Sequence, residues 1–556
     1  MTGVRTGWRD HLAGLGLAAV YVALLLGTAG DLAMSRDESF YVVAAERHAP
    51  WFEQLWESPE RATERASIDS AWAYNHEHPA LIKSLFALSW LAHQRWDVFP
   101  QPSMAFRFPG MLTGGLLLWL VYVFGARTGG RAAGAYAAVA LALLPRFFYH
   151  AHLNAFDVPI VLMVTLVTYC YWRSLTRPRW ALAAGLAFGL ALATKHNSWI
   201  TPGVLLIHWL WVVWGEVRTR RAGGEARVSL VPWWLVAMVA LGPPLFVGSW
   251  PWLWNDTQAR IAEYVSFHVH HDYYNMAYFG VNYFRPPFPA SYPFVMTLYT
   301  VPLTTLGLAV VGLGLRARAM LPPGLPERVW PRGRAAPDVR YTDVLWLGSL
   351  LAPLLVIALP SSPIFGGTKH WMPSYPFMAL FGGVAFARLV AIARVWVARW
   401  FSHRSVRLGV AVAAGALVLA PGAVETAHSH PFGLSHYTYV AGGVPGAADD
   451  GMNRQFWGFT TGSVAPWLRE RMPGGGTVWL CDTTRPAWRM MQRDGMVPRD
   501  IRPTGNMARA DYVLVHHEHH FDEVDFQAWV MHDRVQPAHV LTYDGVPIVT
   551  IYERPR

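Results

Sequence analysis

The sequence predicts a mainly α-helical, polytopic membrane protein, a transmembrane bundle of about eleven spans followed by a small C-terminal α/β domain. Three observations predict it. The 556 residues are 53% hydrophobic, with a mean hydropathy of +0.22, above the apolar content of ordinary soluble domains. Apolar runs of roughly 20 residues, the length that crosses a bilayer core, recur along residues 1–424. Arginine is concentrated in alternate loops between those runs, as the positive-inside rule requires.

The first run follows Arg9 and covers Leu12 to Ala29. It is longer than a signal-peptide core, and Gly30-Asp31 follows without a small-residue cleavage site, so it is expected as a retained first helix. Further spans are expected at 104–125, 132–149, 157–173, 180–195, 199–216, 231–249, 292–315, 342–360, 371–390 and 406–424. The inside loops then carry Arg127 and Arg131; Arg173, Arg177 and Arg179; Arg218, Arg220, Arg221 and Arg227; Arg316, Arg318, Arg328, Arg332, Arg334 and Arg340; and Arg394, Arg399, Arg404 and Arg407. This puts the N-terminus in the cytoplasm and, after an odd number of spans, residues 425–556 outside, as expected for a bacterial inner membrane protein.

Two outer loops are long, 31–103 and 249–291. The first holds a helical stretch, Leu81–Leu91, too short to span and expected along the membrane interface. After Pro421 the chain turns polar, with strands expected at Thr477–Cys481 and Tyr512–His516 and a helix at Asp522–His532. A hairpin is expected across Asp544-Gly545. The net charge of +10 is assigned to topology rather than nucleic-acid binding, because the arginines lie between apolar spans. Many of the 28 tryptophans fit interfacial belts. Cys170 and Cys481 lie in different regions, so no disulfide is expected.

Charges at a membrane boundary carry a desolvation cost and so point to function. Asp37 and Glu38 follow the first helix in Ser35-Arg36-Asp37-Glu38-Ser39-Phe40-Tyr41; a carboxylate there can take the proton of an attacking hydroxyl. A helix start carrying acids for its dipole is the structural alternative. Asp157 opens the fourth span on the same side. The chain has three lysines, Lys83, Lys195 and Lys369, all assigned to the outer side beside membrane segments, and a lipid-linked phosphate is their natural partner. Interfacial snorkelling is the alternative. Histidine clusters occur at His76-Glu77-His78, at His268-Val269-His270-His271-Asp272 and at His516–His520. His268, His270, His271 and Asp272 are weak candidates for a divalent metal, since no cluster has a closed ligand set with standard zinc spacing.

In order and spacing these segments resemble the GT-C glycosyltransferases that use polyprenyl-phosphate sugars, the group of protein O-mannosyltransferases and lipid A aminoarabinose transferases. Asp37-Glu38 with Tyr41 resembles the acidic motif after the group's first helix, and Glu77-His78-Pro79-Ala80-Leu81 resembles its (H/K)-P-P-L motif with Ala80 in place of the second proline. His150-Ala151-His152 through Pro159, Thr194-Lys195-His196-Asn197, and Gly366 through Pro373 complete the likeness over about residues 10–390. The resemblance implies an inverting transfer of a sugar from a polyprenyl-phosphate donor to a lipid, glycan or protein acceptor at the outer face. It implies Asp37 as base and Asp157 as an orienting acid. It implies Glu38, Tyr41, Lys83, His152 and His196 as substrate-binding residues, with His78, Lys195, Lys369 and His370 stabilising the departing phosphate. No cofactor is expected as a requirement, and a divalent metal is the one candidate. A transporter of lipid-linked sugars is the alternative; it would place ionisable groups in mid-span.

Overall fold

In the computed structural model, residues 6–221, 223, 228–320, 339–399 and 403–555 are described. Arg227, Arg328, Arg332 and Arg334 lie outside the described residues.

The fold is mainly helical, and each of the expected apolar segments forms helix. Among the described residues five helices are long and apolar enough to cross a membrane: Trp8–Asp31, Pro102–Gly129, His196–Arg218, Met372–Val397 and Leu408–Ser429. Trp180–Leu192, Trp233–Gly248 and Thr342–Ile357 are shorter apolar helices, and Asp157–Ser174 lies between the two long outer loops of the sequence as a buried helix.

Two expected single spans are broken. Residues 132–149 form Arg131–Ala142 and Pro145–His152, bent by 72°, and 292–315 form Tyr292–Thr300 and Leu303–Ala317, bent by 120°. The residue before each break-point proline, Leu144 and Val301, is extended, because the proline ring disfavours helix at the residue it follows. The apolar run hides such a break, since hydropathy is blind to backbone direction.

Outside the spans, the helix Arg36–Glu57 starts on Ser35, whose backbone N–H and hydroxyl both donate to Glu38 Oε2, at 3.0 and 3.1 Å. The helix expected over 81–91 runs from Leu81 to Trp96 and buries Ile82, Phe86 and Trp90 in a cluster with Val42, Ala45 and Ala49 of Arg36–Glu57. Loop 249–291 holds the helix Thr257–Val269 and a short antiparallel hairpin, β1 (Met276–Tyr278) and β2 (Val281–Tyr283), which composition did not predict.

The C-terminal sheet has the order β4-β3-β5-β7-β6, with β3 (Gly476–Leu480), β4 (Ile501–Pro503), β5 (Tyr512–His516), β6 (His539–Tyr543) and β7 (Val546–Glu553). The expected strands, the hairpin and the helix Asp522–His532 are present; β4 and the helix Arg485–Arg493 are additions. Asp544 and Gly545 both take positive φ, as a two-residue hairpin turn needs. This region packs directly on the bundle. Leu434, Phe456, Trp457 and Phe459 share a core with Leu32, Tyr149 and Leu153, and Met490, Met491 and Val497 share one with Ala33, Trp90 and Phe106.

The helix Arg36–Glu57 is tied to the bundle by a buried ion pair. Arg107, inside the long helix Pro102–Gly129, donates from Nε to Glu38 Oε1 at 2.8 Å and from Nη2 to Glu38 Oε2 at 3.0 Å, and both side chains are fully buried. Arg107 also donates to the carbonyls of Leu32 and Ala33. Removing one member leaves the other charged and unpaired. Arg107→Leu is therefore expected to cost about 3–5 kcal/mol, seen as a lower thermal midpoint in detergent, with Glu38→Leu/Arg107→Leu recovering much of it. An unchanged midpoint for Arg107→Leu contradicts this.

Candidate active site

Two carboxylate–lysine pairs define the site. Asp37, in the first turn of Arg36–Glu57, meets Lys369 Nζ at 3.0 Å and Arg36 Nε at 3.7 Å. Asp157, the first residue of its helix, meets Lys195 Nζ at 2.7 Å and His150 Nδ1 at 3.6 Å. Adjacent residues on a helix point about 100° apart, so Glu38 faces Arg107 while Asp37 faces the site. Glu38 also takes the backbone N–H of Asn154 at 3.3 Å, and its own carbonyl takes Asn154 Nδ2 at 3.1 Å. Thus the acidic turn is tied to the loop that leads into Asp157.

Both lysines sit where a helix is interrupted. Lys195 follows Trp180–Leu192 in extended backbone, φ −163°. Lys369 lies in a short turn after Gly366 and Gly367, whose φ values are +72° and +65°. A Cβ at Gly366 would collide with the Trp457 ring and come within 2.9 Å of Lys369 Cε, so glycine is required there twice over. Trp457 lies between the two pairs: its ring centroid is 4.2 Å from Lys369 Nζ and 5.9 Å from the His150 ring.

Aromatic rings wall the space between the acids. Tyr41 packs edge-on against Phe156 at 4.4 Å and against His78 at 5.9 Å, and His78 stands 6.0 Å from His268. His196 stacks on His268 at 3.9 Å. Beside the site lies an apolar cavity lined by Val164, Val204, Leu205 and Val356, and by Asn197 and His370, which closely follow Lys195 and Lys369 in the chain. His78 Nδ1, His196 Nδ1 and Asn197 Oδ1 are buried with no hydrogen-bond partner among the described residues. Buried polar atoms of this kind are satisfied by water or ligand.

Burial makes His78 and His370 weaker bases than free imidazole. Burial first, then the charges of Lys83, His268, Lys195 and Lys369, holds the His78 imidazole well below its usual range. Burial and then Lys369 and Lys195 bring His370 down to about 3. His370 Nε2 contacts the Phe365 carbonyl. Lys195, Lys369 and Arg36 bring positive charge to this site, and the lowered basicity of His78 and His370 makes them hydrogen-bonding groups beside it.

Several expected site residues stand elsewhere. Glu38 is consumed by Arg107. His152 bonds Thr28 Oγ1 and the Phe148 carbonyl, both at 2.8 Å, and faces His430 instead of the acids. Lys83 is buried and donates to the Asn75 carbonyl at 2.5 Å, clamping the first loop; burial pushes its ammonium down to about 7. His268 turns inward to the Glu77 carbonyl at 3.0 Å, His270 meets the Ser266 carbonyl, and His271 meets the Asp272 carbonyl and stacks on the Phe365 ring at 5.0 Å. Among the described residues no three His, Cys, Asp or Glu side chains group to hold a metal, so the weak metal candidates do not close a ligand set. Sequence reasoning missed Arg107, Trp457 and Asp482, and within His150-Ala151-His152 it singled out His152 where His150 faces Asp157. Of these, Arg107 carried a signal, a lone charge inside an apolar span.

Residues 78–245 match the family described as dolichyl-phosphate-mannose-protein mannosyltransferase. The chain resembles the GT-C glycosyltransferases. Its overall fold aligns with ArnT from Cupriavidus metallidurans in the apo state, at 16% identity over 97% of this chain and 98% of that one, TM-score 0.48. It also aligns with the archaeal oligosaccharyltransferase AglB from Archaeoglobus fulgidus, at 11% identity over 94% and 70%, TM-score 0.49. A third alignment is with the arabinofuranosyltransferase AftD from Mycobacteria, at 14% identity over 100% and 40%, TM-score 0.42. No curated protein sequence matches the chain.

Gly366→Ala is expected to cost roughly 1–3 kcal/mol, from a strained positive φ and the clash with Trp457, read as a lower melting midpoint. Gly314→Ala, where an added Cβ meets open space, is the control and should not lower it.

Proposed function

We propose that the protein is an inverting glycosyltransferase that moves a sugar from a polyprenyl-phosphate donor to a hydroxyl or phosphate acceptor at the outer face of a bacterial inner membrane. The observation that carries this reading is the pairing of Asp37 with Lys369 and Asp157 with Lys195 around one aromatic-walled space beside an apolar cavity. The family match over residues 78–245 supports the transferase class.

In this reading the polyprenyl chain occupies the apolar cavity and its phosphate exchanges partners with the resting ion pairs. Lys369 and Lys195 turn from carboxylate to phosphate, which releases Asp37. The acceptor hydroxyl gives its proton to Asp37 as its oxygen bonds the anomeric carbon. The bond from that carbon to the phosphate oxygen breaks on the opposite face, and the electron pair leaves with the phosphate. Negative charge grows on that oxygen in the transition state, so the lysines stabilise it more than they stabilise bound donor. Neutral His78 offers an N–H donor to the same anion. Asp157, released by Lys195 and still beside His150, orients the acceptor. The two lysines supply the positive charge that a divalent ion supplies in other transferases. Under this topology the N-terminus is cytoplasmic, and the C-terminal sheet domain lies outside with the site.

The test uses a panel of hexosyl and pentosyl polyprenyl phosphates with a cell-envelope extract as acceptor pool. Asp37→Asn is expected to lower kcat by about 10²–10⁴-fold while the protein still binds polyprenyl phosphate. Wild-type turnover in Asp37→Asn removes Asp37 as base. Movement of intact lipid-linked sugar across vesicles without transfer points to a transporter instead. Lys195→Met/Lys369→Met is expected to lose both donor binding and turnover; retention of either contradicts the phosphate site.

A further inference from the structure

The C-terminal domain reaches the turn that carries Asp37 through three contacts. The Arg36 backbone N–H donates to the Trp457 carbonyl at 2.9 Å, the hydroxyls of Ser39 and Thr484 meet at 2.7 Å, and Arg36 Nη1 donates to Asp482 Oδ1 at 2.5 Å. Asp482 follows the C-terminal end of β3, and its side chain is 3% exposed. Glu518 lies just beyond the end of β5, the parallel neighbour of β3, so the two acids emerge at the same edge of the sheet. Glu518 accepts from Gln455 Nε2 at 3.2 Å and faces His520 Nδ1 at 3.6 Å, and the Asp482 N–H donates to His516 Nδ1 at 3.3 Å. Two enclosed carboxylates thus lie near one guanidinium, which bonds Asp482 directly. Burial raises both above the usual carboxylate range, and the Asp482 charge raises Glu518 further.

Arg36 stands between two acids. Its Nη1 is 2.5 Å from Asp482, while its Nε is 3.7 Å from Asp37. The nearer contact is a charge-assisted hydrogen bond; the farther one is beyond hydrogen-bond reach. Asp482 is anchored in the sheet domain, whereas the Arg36 side chain is 39% exposed and has room to turn. If Asp482 lost its charge, the guanidinium would be drawn to Asp37. Arginine pairs with a carboxylate through two parallel bonds and takes both oxygens. Both Asp37 oxygens would then be engaged, and the carboxylate would be a weaker and more obstructed acceptor for a proton.

We infer that Asp482, backed by Glu518, is a positioning residue for the transfer reaction: it draws the Arg36 guanidinium away from Asp37 and keeps that carboxylate open to the acceptor. The inference rests on the role of Asp37 proposed above. It makes the C-terminal domain part of the reacting assembly, because it alone supplies the acid that competes for Arg36.

The experiment compares Asp482→Asn, Asp482→Glu and Asp482→Asn/Arg36→Gln in the full chain, using the polyprenyl-phosphate sugar that wild type consumes, together with a cryo-EM structure of Asp482→Asn. In Asp482→Asn, kcat is expected to fall about 10–100-fold with the donor KM within about threefold, the range expected for a misplaced catalytic group. Asp482→Glu should keep most of the activity. The added Arg36→Gln should recover about tenfold over Asp482→Asn alone, and the structure should show Arg36 on both oxygens of Asp37. Wild-type kcat in Asp482→Asn, a loss that Arg36→Gln does not reverse, or an unmoved Arg36 overturns the inference. A wild-type protein that consumes no donor overturns the transferase reading instead, and the position of Arg36 in the Asp482→Asn structure still decides whether Asp482 holds it.

Discussion

The buried Glu38–Arg107 ion pair is the constraint on which the site depends. Arg107 lies in an apolar helix where an unpaired guanidinium would be costly, and Glu38 lies in the first turn of the helix that follows the first span. Their two-bond contact fixes both the position and the rotation of that turn. With Glu38 turned inward, the neighbouring Asp37 is aimed at Lys369. The same Glu38 reaches Asn154, so the loop entering Asp157 is registered against the same turn. One ion pair therefore sets two carboxylates that are far apart in sequence.

The rest of the site is organised by charge balance. Each acid that faces the space has a lysine, and each lysine has an acid, so the resting assembly holds its charges without leaving any bare. A phosphate entering this space brings negative charge to lysines already in place, at the expense of contacts that can be exchanged. Neutral histidines beside the lysines add hydrogen-bond donors without adding repulsion. The aromatic rings of Tyr41, Phe156 and Trp457 line the space and lower the polarity around its more buried charges.

Much of this was legible in the sequence, and for a physical reason. Apolar length reports spans directly, and a charge at the edge of an apolar segment is expensive enough to signal a purpose, which is why Asp37, Asp157, Lys195 and Lys369 stood out. The same logic does not tell which way a side chain turns. Lys83 and Glu38 carry the same signal and serve the packing of the first loop and helix. His152 sits two residues from His150, yet only His150 faces Asp157. The bends after Ala142 and Thr300 were marked by Pro145 and Pro302 but hidden by continuous hydropathy. Least legible was the seating of residues 430–520 on the acidic turn, since Trp457 and Asp482 are more than 400 residues from Arg36 and no local pattern links them.

The central claim is that Lys195 and Lys369 converge on one lipid phosphate. A cryo-EM map of the wild-type chain in lipid nanodiscs with added polyprenyl phosphate tests it most directly. The account predicts phosphate density within hydrogen-bond reach of both ammonium groups, with Lys369 withdrawn from Asp37 and the isoprenoid chain in the cavity beside Asn197 and His370. Phosphate density away from both lysines, with the Asp37–Lys369 and Asp157–Lys195 pairs still intact, would contradict it.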